Sequence, residues 1–348
     1  MNSSLGELAR TCAVFALTTS LVAPSGAIVV TQPTHPATRT WLKGSWVLIG
    51  AVAPATHLLV TPDGLAASGD AVYTFDLETQ TLKAFDNSGR LRWQFGGRGE
   101  REGEFTNGRD PTVDAQGRIW VSDARSSRVT VISPSGKLDR VIEVPAPLYT
   151  AVPQAHGTFW GLPLGSTLPV LFDSTGRRIK NLALKSSWTG LNFLVTEPRM
   201  CAISEDQSVM AFRWSDRFLV LSHSGQKVRQ YHGIQLQDFP RLTERAITVG
   251  GHKGTATKVD SAAPVVVRSV TADLNRIYVL AGTIAPYPGR IVDTYDVGSG
   301  RYVGSYLLPE EVFMIALQGR NLAGLVRWPY APAIRIWQWI PATNRVKS

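Results

Sequence analysis

Short runs of β-branched and aromatic residues recur along the chain, and a polar turn precedes each of them. Such runs occupy residues 118–121, 158–160, 209–212 and 276–280. The turn before the first of these runs, at residues 114–117, reads Asp-Ala-Gln-Gly. Asp, Asn and Gly tolerate the positive φ angles that tight hairpin turns require. The pattern therefore predicts antiparallel strands joined by hairpins along most of the chain.

Two sequence markers repeat in phase. The first is a strand that ends in a Gly-containing turn, found at residues 85–90, 132–137, 172–177, 221–226, 295–301 and, in degenerate form, 339–345. The second is a polar tight turn, found at residues 61–64, 114–117, 154–157, 204–207, 272–275 and 318–321. Most copies are separated by about 40–50 residues, which is the length of one propeller blade. Six copies predict an all-β fold, a six-bladed β-propeller of four-stranded antiparallel blades.

One interval between copies of the first marker is unusually long. Gly225 and Gly300 are 75 residues apart, which is nearly enough for an additional blade. Residues 232–264, however, contain neither marker and are rich in Gly and polar side chains. A connection of that length without a repeat of its own is usually functional or disordered. We therefore interpret residues 232–264 as an insertion between two blades.

The N-terminus has the order of a secretory signal peptide. A polar start precedes a mostly apolar stretch at residues 11–23, and Ser25 and Ala27 occupy the small-residue positions of a cleavage site. A packed or unstructured N-terminal segment is the alternative interpretation. We predict a signal peptide at 1–27, a linker at 28–45 and the propeller at 46–348. The mature protein is then expected to be secreted or periplasmic.

Composition narrows the classes of partner. The chain has 36 Lys and Arg against 27 Asp and Glu, a net charge of +9, and 18% charged residues. Average domains have roughly 25% charged residues, so intrinsic disorder and a charged coiled coil are excluded. No apolar run reaches the ~18 residues of a membrane span. The basic residues form no continuous block, so we expect a protein or a small anionic ligand as partner, and no nucleic acid.

Cysteine usage argues against a disulfide framework. Signal cleavage would remove Cys12 and leave Cys201 as the single thiol. Apolar neighbours flank Cys201, and free cysteines are among the most buried residues. We therefore predict that Cys201 packs in a strand and is not a nucleophile.

One predicted blade resembles the NHL-type repeat of six-bladed propellers. Residues 96–105 form a Gly-rich connection that ends in Gly-x-Phe, and residues 110–123 contain Asp-x-x-Gly followed by Trp-Val-x-Asp. Residues 128–137 complete the pattern with a strand that closes on a Ser-Gly turn. The other blades match by marker and spacing only. The resemblance implies a closed ring in which the strand at 46–49 joins the strand around 334–337, which removes exposed sheet edges.

The same fold implies that connections between blades and loops between second and third strands share one face. On this face the sequence places Arg, Trp and Tyr, which are enriched at binding hot spots. The candidate ligand- or partner-binding residues are Arg109, Asp110, Asp123, Arg125, Arg128, Trp188, Trp214, Tyr287, Trp328 and Tyr330. We predict an exported, non-catalytic scaffold that binds a ligand or protein through this face. The alternative is that these residues bind no ligand: the aromatic side chains cover the ends of the blades, and the arginines are exposed to solvent.

Catalytic motifs are mostly missing from the sequence. It has no Gly-x-Ser-x-Gly elbow, no His-Glu-x-x-His and no Cys pair for zinc. We assign no catalytic residue, metal or cofactor. The alternative is a metal-dependent hydrolase or lyase with its site at the channel mouth. Residues 107–110 are loosely similar to the Asn-Asp segment of gluconolactonase-like enzymes, although their spacing differs. In a peptidyl-hydroxyglycine-lyase-like enzyme, the histidines, which are scattered along this sequence, would be the zinc ligands.

Overall fold

The computed structural model describes residues 38–53, 56, 58–184, 193–249, 252–260, 262–327 and 331–342. Within these residues, 24 of the strands form six four-stranded antiparallel sheets. This confirms the predicted all-β, six-bladed propeller. No helix in the described part of the chain is long and apolar enough to cross a membrane. The predicted signal peptide at 1–27 lies outside the described residues.

The blades follow one another along the chain, and each runs from an inner strand at the axis to an outer strand. Blade one contains β2 (Pro62–Ser68), β3 (Ala71–Asp76), β4 (Thr81–Asp86) and β5 (Leu91–Gly96); blade two contains β6 (Gly108–Val113), β7 (Ile119–Asp123), β8 (Arg128–Ile132) and β9 (Leu138–Glu143). Blade three contains β10 (Leu148–Pro153), β11 (Phe159–Pro163), β12 (Val170–Phe172) and β13 (Arg178–Asn181). Blade four contains β14 (Pro198–Ser204), β15 (Gln207–Phe212), β16 (Ser215–Ser222) and β17 (Val228–His232), preceded by the short helix α1 (Phe193–Thr196).

The last two blades complete the ring. Blade five contains β20 (Val267–Ala272), β21 (Arg276–Ala281), β22 (Ile291–Asp296) and β23 (Tyr302–Leu307). Blade six contains β24 (Met314–Gln318), β25 (Asn321–Val326) and β26 (Ala333–Pro341), and its outer strand is β1 (Gly44–Val52) from the N-terminal end. Trp46 lies opposite Trp339, and Leu48 lies opposite Trp337. This register confirms the predicted closure by the strand at 46–49.

The connection between blades four and five carries its own small sheet. Within it, β18 (Leu242–Val249) pairs with β19 (His252–Val259) as an antiparallel hairpin that belongs to none of the blades. The hairpin lies within residues 232–264, the segment that contains neither repeat marker and that we interpret as an insertion.

Packing between blades explains why the turn of the first repeat marker contains glycine. The marker glycine of blade two, Gly136, has φ +78°, and a Cβ there would lie 2.6 Å from the Trp93 ring of blade one. In blade five, Gly300 has φ +66°, and its Cβ would lie 2.0 Å from the Tyr231 ring of blade four. Glycine is required because the turn adopts positive φ and also packs against the outer part of the preceding blade. The marker therefore reports contacts between neighbouring blades.

One marker assignment was wrong. The turn between the inner and second strands of blade one lies at residues 69–70, whereas residues 61–64 run into the beginning of β2 at the opposite end of the blade. Pro-Asp-Gly has the composition of a turn, but Gly64, with φ +74°, lies in a bulge of β2. The other five turns join inner to second strands as predicted.

Candidate functional site

Inner strands begin at the same end of each blade as the loop between its second and third strands. In blade two, Gly108 at the start of β6 lies opposite Asp123 at the end of β7. In blade four, Pro198 lies opposite Phe212 in the same way. We call this end of the ring the loop face. It is the face on which the sequence placed the candidate binding residues.

Charged and polar side chains converge where the axial channel opens on the loop face. We call them the mouth cluster, and its members among the described residues are Asp63, Arg109, Asp110, Tyr149, Glu197, Arg199, Arg213, Arg268 and Arg327. They come from blades one to six, so the ring fold alone brings them together.

On one side of the mouth, two arginines share the carboxylate of Asp63. The distance from Arg109 Nη1 to Asp63 Oδ2 is 3.2 Å, and the distance from Arg327 Nη1 to Asp63 Oδ1 is 3.5 Å. Blade one supplies the carboxylate, while blades two and six supply the guanidinium groups. This arrangement links the first, second and last blades at the axis.

Across the channel, two arginines share the carboxylate of Glu197. Arg213 Nε lies 3.2 Å from Glu197 Oε2, and Arg199 Nη2 lies 3.6 Å from Glu197 Oε1. Arg199 also donates a hydrogen bond of 2.9 Å to the Tyr149 hydroxyl. Beside them, Arg268 pairs with Glu311 at 2.7 Å.

Backbone irregularities occur at the start of several inner strands and involve mouth residues. The pairing register shifts at Asp110, Tyr149 and Arg268, so each of these residues lies in a bulge. Asp110 and Glu197 have φ of +41° and +34°, and each directly precedes a proline. Bulges are frequent beside functional sites, where they redirect a side chain, and positive φ in a non-glycine residue is costly. The local backbone is therefore adapted to display these groups at the channel.

Burial governs the ionisation of the cluster. It raises the pKa of Asp110 to about 6, although the positive charge of Arg199 acts in the opposite direction. Burial also raises the pKa of Tyr149. For Arg199 burial alone would lower the pKa, but Tyr149 and Glu197 outweigh it and the pKa is raised. Arg199 therefore remains charged, while Asp110 titrates close to neutral pH.

The channel beyond the mouth is narrow. A cavity of about 120 Å³ follows the axis between the inner strands of blades one, two, four, five and six, and Asp110 and Arg199 are part of its lining. Cys201 also lines it, and burial raises the pKa of its thiol. Cys201 lies in β14, which confirms that it packs in a strand.

A larger cavity, of about 470 Å³, lies at the opposite end, between the turns that join inner and second strands of blades two to four. Its carboxylates are held by neighbouring side chains. Asp114 accepts hydrogen bonds from Arg118 and Trp120, and Glu205 accepts one from Gln116. Because these carboxylates are already bonded within and between the turns, we locate the candidate site at the mouth cluster.

No protein-family model and no curated protein matches the chain. Solved structures do match it. Streptogramin B lyase is 14% identical with a TM-score of 0.51, over 87% of this chain and 100% of the lyase. Regucalcin, a calcium-binding protein from Agrobacterium tumefaciens, is 10% identical with a TM-score of 0.50, over 88% and 98%. A Bacteroides fragilis protein described as exported is 10% identical with a TM-score of 0.54, over 90% and 100%.

The chain has a six-bladed propeller fold, which it shares with these solved structures. At these identities the likeness concerns the fold alone. The activity of this propeller must therefore be argued from its own residues.

The propeller brings two of the predicted site residues, Arg109 and Asp110, into the mouth cluster. Trp214 follows Arg213 in the chain, and the Arg213 guanidinium lies 5.2 Å from the Trp214 ring centroid. Tyr287 lies on the loop face but away from the mouth, against Trp41 at 6.5 Å between ring centroids. Trp188, Trp328 and Tyr330 lie outside the described residues.

Three predicted residues of blade two form a loop on the same face. Asp123 is fully buried, and its carboxylate accepts hydrogen bonds from the backbone of Thr106, Asn107, Arg125 and Ser126. The Arg128 guanidinium is bonded to the carbonyls of Glu100 and Glu104. Arg125 is exposed. The side chains of Asp123 and Arg128 therefore hold the loop together, while that of Arg125 extends from it.

The predicted set omitted Asp63, Tyr149, Glu197, Arg199, Arg213, Arg268 and Arg327. For three of these mouth residues and for Arg109 alike, the feature to look for in the sequence is the position within the inner strand. Asp63, Arg109, Arg199 and Arg268 all stand within the first two residues of an inner strand. Charged residues at that position of successive blades indicate a ring around the axis.

Within the described ranges, no group of three or more His, Cys, Asp or Glu side chains is placed to hold a metal ion. The histidines counted as possible ligands are dispersed: His223 lies 3.5 Å from Asp206 at the turn end of blade four, and His156 lies in a turn of blade three.

Proposed function

We propose that this propeller is a non-catalytic binding protein that receives an anionic ligand, or an anionic group of a protein partner, at the mouth of its channel. One observation carries the proposal: twice in the mouth cluster, two arginines share a single carboxylate. A shared carboxylate neutralises one guanidinium, so each side of the mouth retains positive charge. Because these side chains are partly withdrawn from water, the charge attracts an anion more strongly than an exposed arginine does.

The same geometry argues against the metal-dependent alternative. A lactonase-like or peptidyl-hydroxyglycine-lyase-like centre needs acceptor groups that are available to a divalent cation. The carboxylate of Asp63 instead faces Arg109 and Arg327, and the charge of Arg199 acts on Asp110. A cation at this position would be repelled by the arginines.

We further infer that the protein is exported and functions as a secreted or periplasmic protein after loss of residues 1–27. The order of residues at the N-terminus supports this. N-terminal sequencing of protein recovered from the medium or periplasm should give Ile28 as the first residue. Recovery of the intact chain, with Met1 or Asn2 first, from the cytoplasm alone would contradict export.

The binding function can be tested by isothermal titration of the protein with phosphate, sulfate and short carboxylic acids at low ionic strength. The variant Arg199→Gln should weaken binding at least about tenfold, which corresponds to ~1.4 kcal/mol. The more exposed Arg213→Gln provides the same test if the buried substitution lowers stability. A matched control is Arg301→Gln, an exposed arginine at the other end of blade five. Binding that is indifferent to both mouth substitutions and to added salt would contradict the proposal.

A further inference from the structure

The two arginine pairs occupy opposite sides of the channel mouth. Asp63, which holds the first pair, belongs to β2 in blade one. Glu197, which holds the second pair, directly precedes β14 in blade four. In a ring of six blades, blades one and four face each other across the axis. A ligand at the mouth therefore meets positive charge on two opposite sides.

The contacts within these pairs are longer than the tightest ion pairs of the same protein. At the mouth the four N–O distances lie between 3.2 and 3.6 Å. By comparison, Arg39 holds Asp293 at 2.8 Å, and Arg118 holds Asp114 at 2.7 Å. Well-formed charge-assisted hydrogen bonds measure about 2.7–2.9 Å. The mouth arginines therefore retain donor capacity for an incoming anion.

A negative group lies between the two pairs. Asp110 follows Arg109 in β6 on one side, and it lines the axial cavity together with Arg199 on the other. Its carboxylate disfavours a single anion centred on the axis while it is ionised. The field is most favourable to negative charge at the two sides, beside the arginine pairs.

The separation of the pairs is short. The inner strands of five blades enclose an axial cavity of only about 120 Å³, and Arg199 of the second pair is part of its lining. The inner strand of blade two, which carries Arg109 of the first pair, lines the same cavity. The skeleton that joins the two acidic groups of a ligand must therefore be small.

We propose that the ligand of the mouth cluster is a compact dianion, such as a short dicarboxylate, with one acidic group on the Arg109–Arg327 pair and the other on the Arg199–Arg213 pair. This inference rests on the proposed function, because it specifies which anion the mouth prefers. Binding through two groups joined by a short skeleton adds the second contact at little additional entropic cost.

The experiment compares succinate, glutarate and adipate with their monomethyl esters by isothermal titration on the full chain. Each ester keeps the carbon skeleton and removes one charge. At least one diacid should bind about tenfold or more tightly than its ester. Arg327→Gln and Arg213→Gln should each abolish that preference, one from either side of the mouth. Arg301→Gln should leave it intact, and thermal unfolding of every variant verifies that the ring is folded.

The outcomes separate this inference from the function on which it rests. If monoesters, phosphate or sulfate bind as tightly as every diacid, the anion site stands and the dianion inference is overturned. A preference for diacids that survives both mouth substitutions overturns it as well. If none of these anions binds, the anion-binding function itself fails.

Discussion

Arg39 donates two hydrogen bonds, of 2.9 and 2.8 Å, to the two carboxylate oxygens of Asp293 in blade five. Asp293 is 1% exposed, so Arg39 neutralises a carboxylate that water does not reach. Residues 40–42 continue along β23, where Leu42 donates a backbone hydrogen bond to Ser305 and Thr40 accepts one from it. The segment before β1 therefore covers the outer edge of blade five.

We predict that Arg39→Ala lowers the free energy of unfolding by about 3–5 kcal/mol, because it leaves a buried carboxylate unpaired. Urea denaturation measures the change. The double variant Arg39→Ala with Asp293→Asn should recover part of the loss, since the unpaired charge is then absent. Equal stability of the single variant and the wild type would show that the N-terminal segment is dispensable.

Stability should fall as the pH rises from about 4 to about 6. The pKa of Asp110 is about 6 in the fold, against about 3.9 for an unfolded aspartate. In this interval the folded state binds more protons than the unfolded state, so folding is favoured on the acid side. For Asp110 the effect is on the order of 2 kcal/mol.

Asp110→Asn should remove this part of the pH dependence and raise the unfolding midpoint at pH 7 to 8. Thermal unfolding between pH 4.5 and 8 measures both effects. Asp216, whose pKa burial raises to about 7, adds a similar slope that the substitution leaves in place. The exposed control Glu102→Gln should follow the wild-type curve. A variant curve parallel to the wild type at all pH values would contradict the assignment.

Gly136→Ala should destabilise the ring more than Gly319→Ala. Both glycines have positive φ, +78° and +59°, so both substitutions incur the same backbone penalty of about 1 kcal/mol. A Cβ at Gly136 would also meet the Trp93 ring at 2.6 Å, whereas nothing lies within 4 Å of one at Gly319. The difference between the destabilisation caused by Gly136→Ala and that caused by Gly319→Ala measures the steric contact between the two blades. Equal destabilisation by the two substitutions would show that this contact does not matter for stability.

Cys201 should resist thiol reagents in the folded protein. It is packed in β14, and burial raises the pKa of its thiol, so little thiolate forms at neutral pH. In a Cys12→Ser background, a chromogenic disulfide reagent should label Cys201 only after addition of urea. Rapid labelling without denaturant would show that the channel is more open than the fold indicates.

Blade number could be predicted because it depends on local turn chemistry. Gly136 and Gly300 are glycines since a neighbouring blade leaves no room for a Cβ, and that requirement recurs in each of blades one to five. The misassigned turn at residues 61–64 shows the limit of this reasoning. Pro62, Asp63 and Gly64 have turn composition, but in the fold they form the irregular beginning of an inner strand.

The mouth cluster could be predicted only in part. The sequence places Arg109 and Asp110 on the loop face, but Asp63, the partner of Arg109, is separated from it by 46 residues, and Arg327, which shares Asp63, is farther still along the chain. Which side chains reach the axis depends on bulges, such as that at Arg268, whose register is set by pairing within the blade. That register cannot be predicted from the local sequence alone.

The position of β1 has a consequence for how the protein is made. Its partner β26 (Ala333–Pro341) is synthesised after blades one to five, so β1 must wait for all of them before it can pair. Until then its uncharged run at residues 46–49 has no partner strand and is available for wrong pairings. A chain that stops before β26 would leave blade six incomplete and the ring open, so closure of the ring depends on a strand that is made after all the other blades.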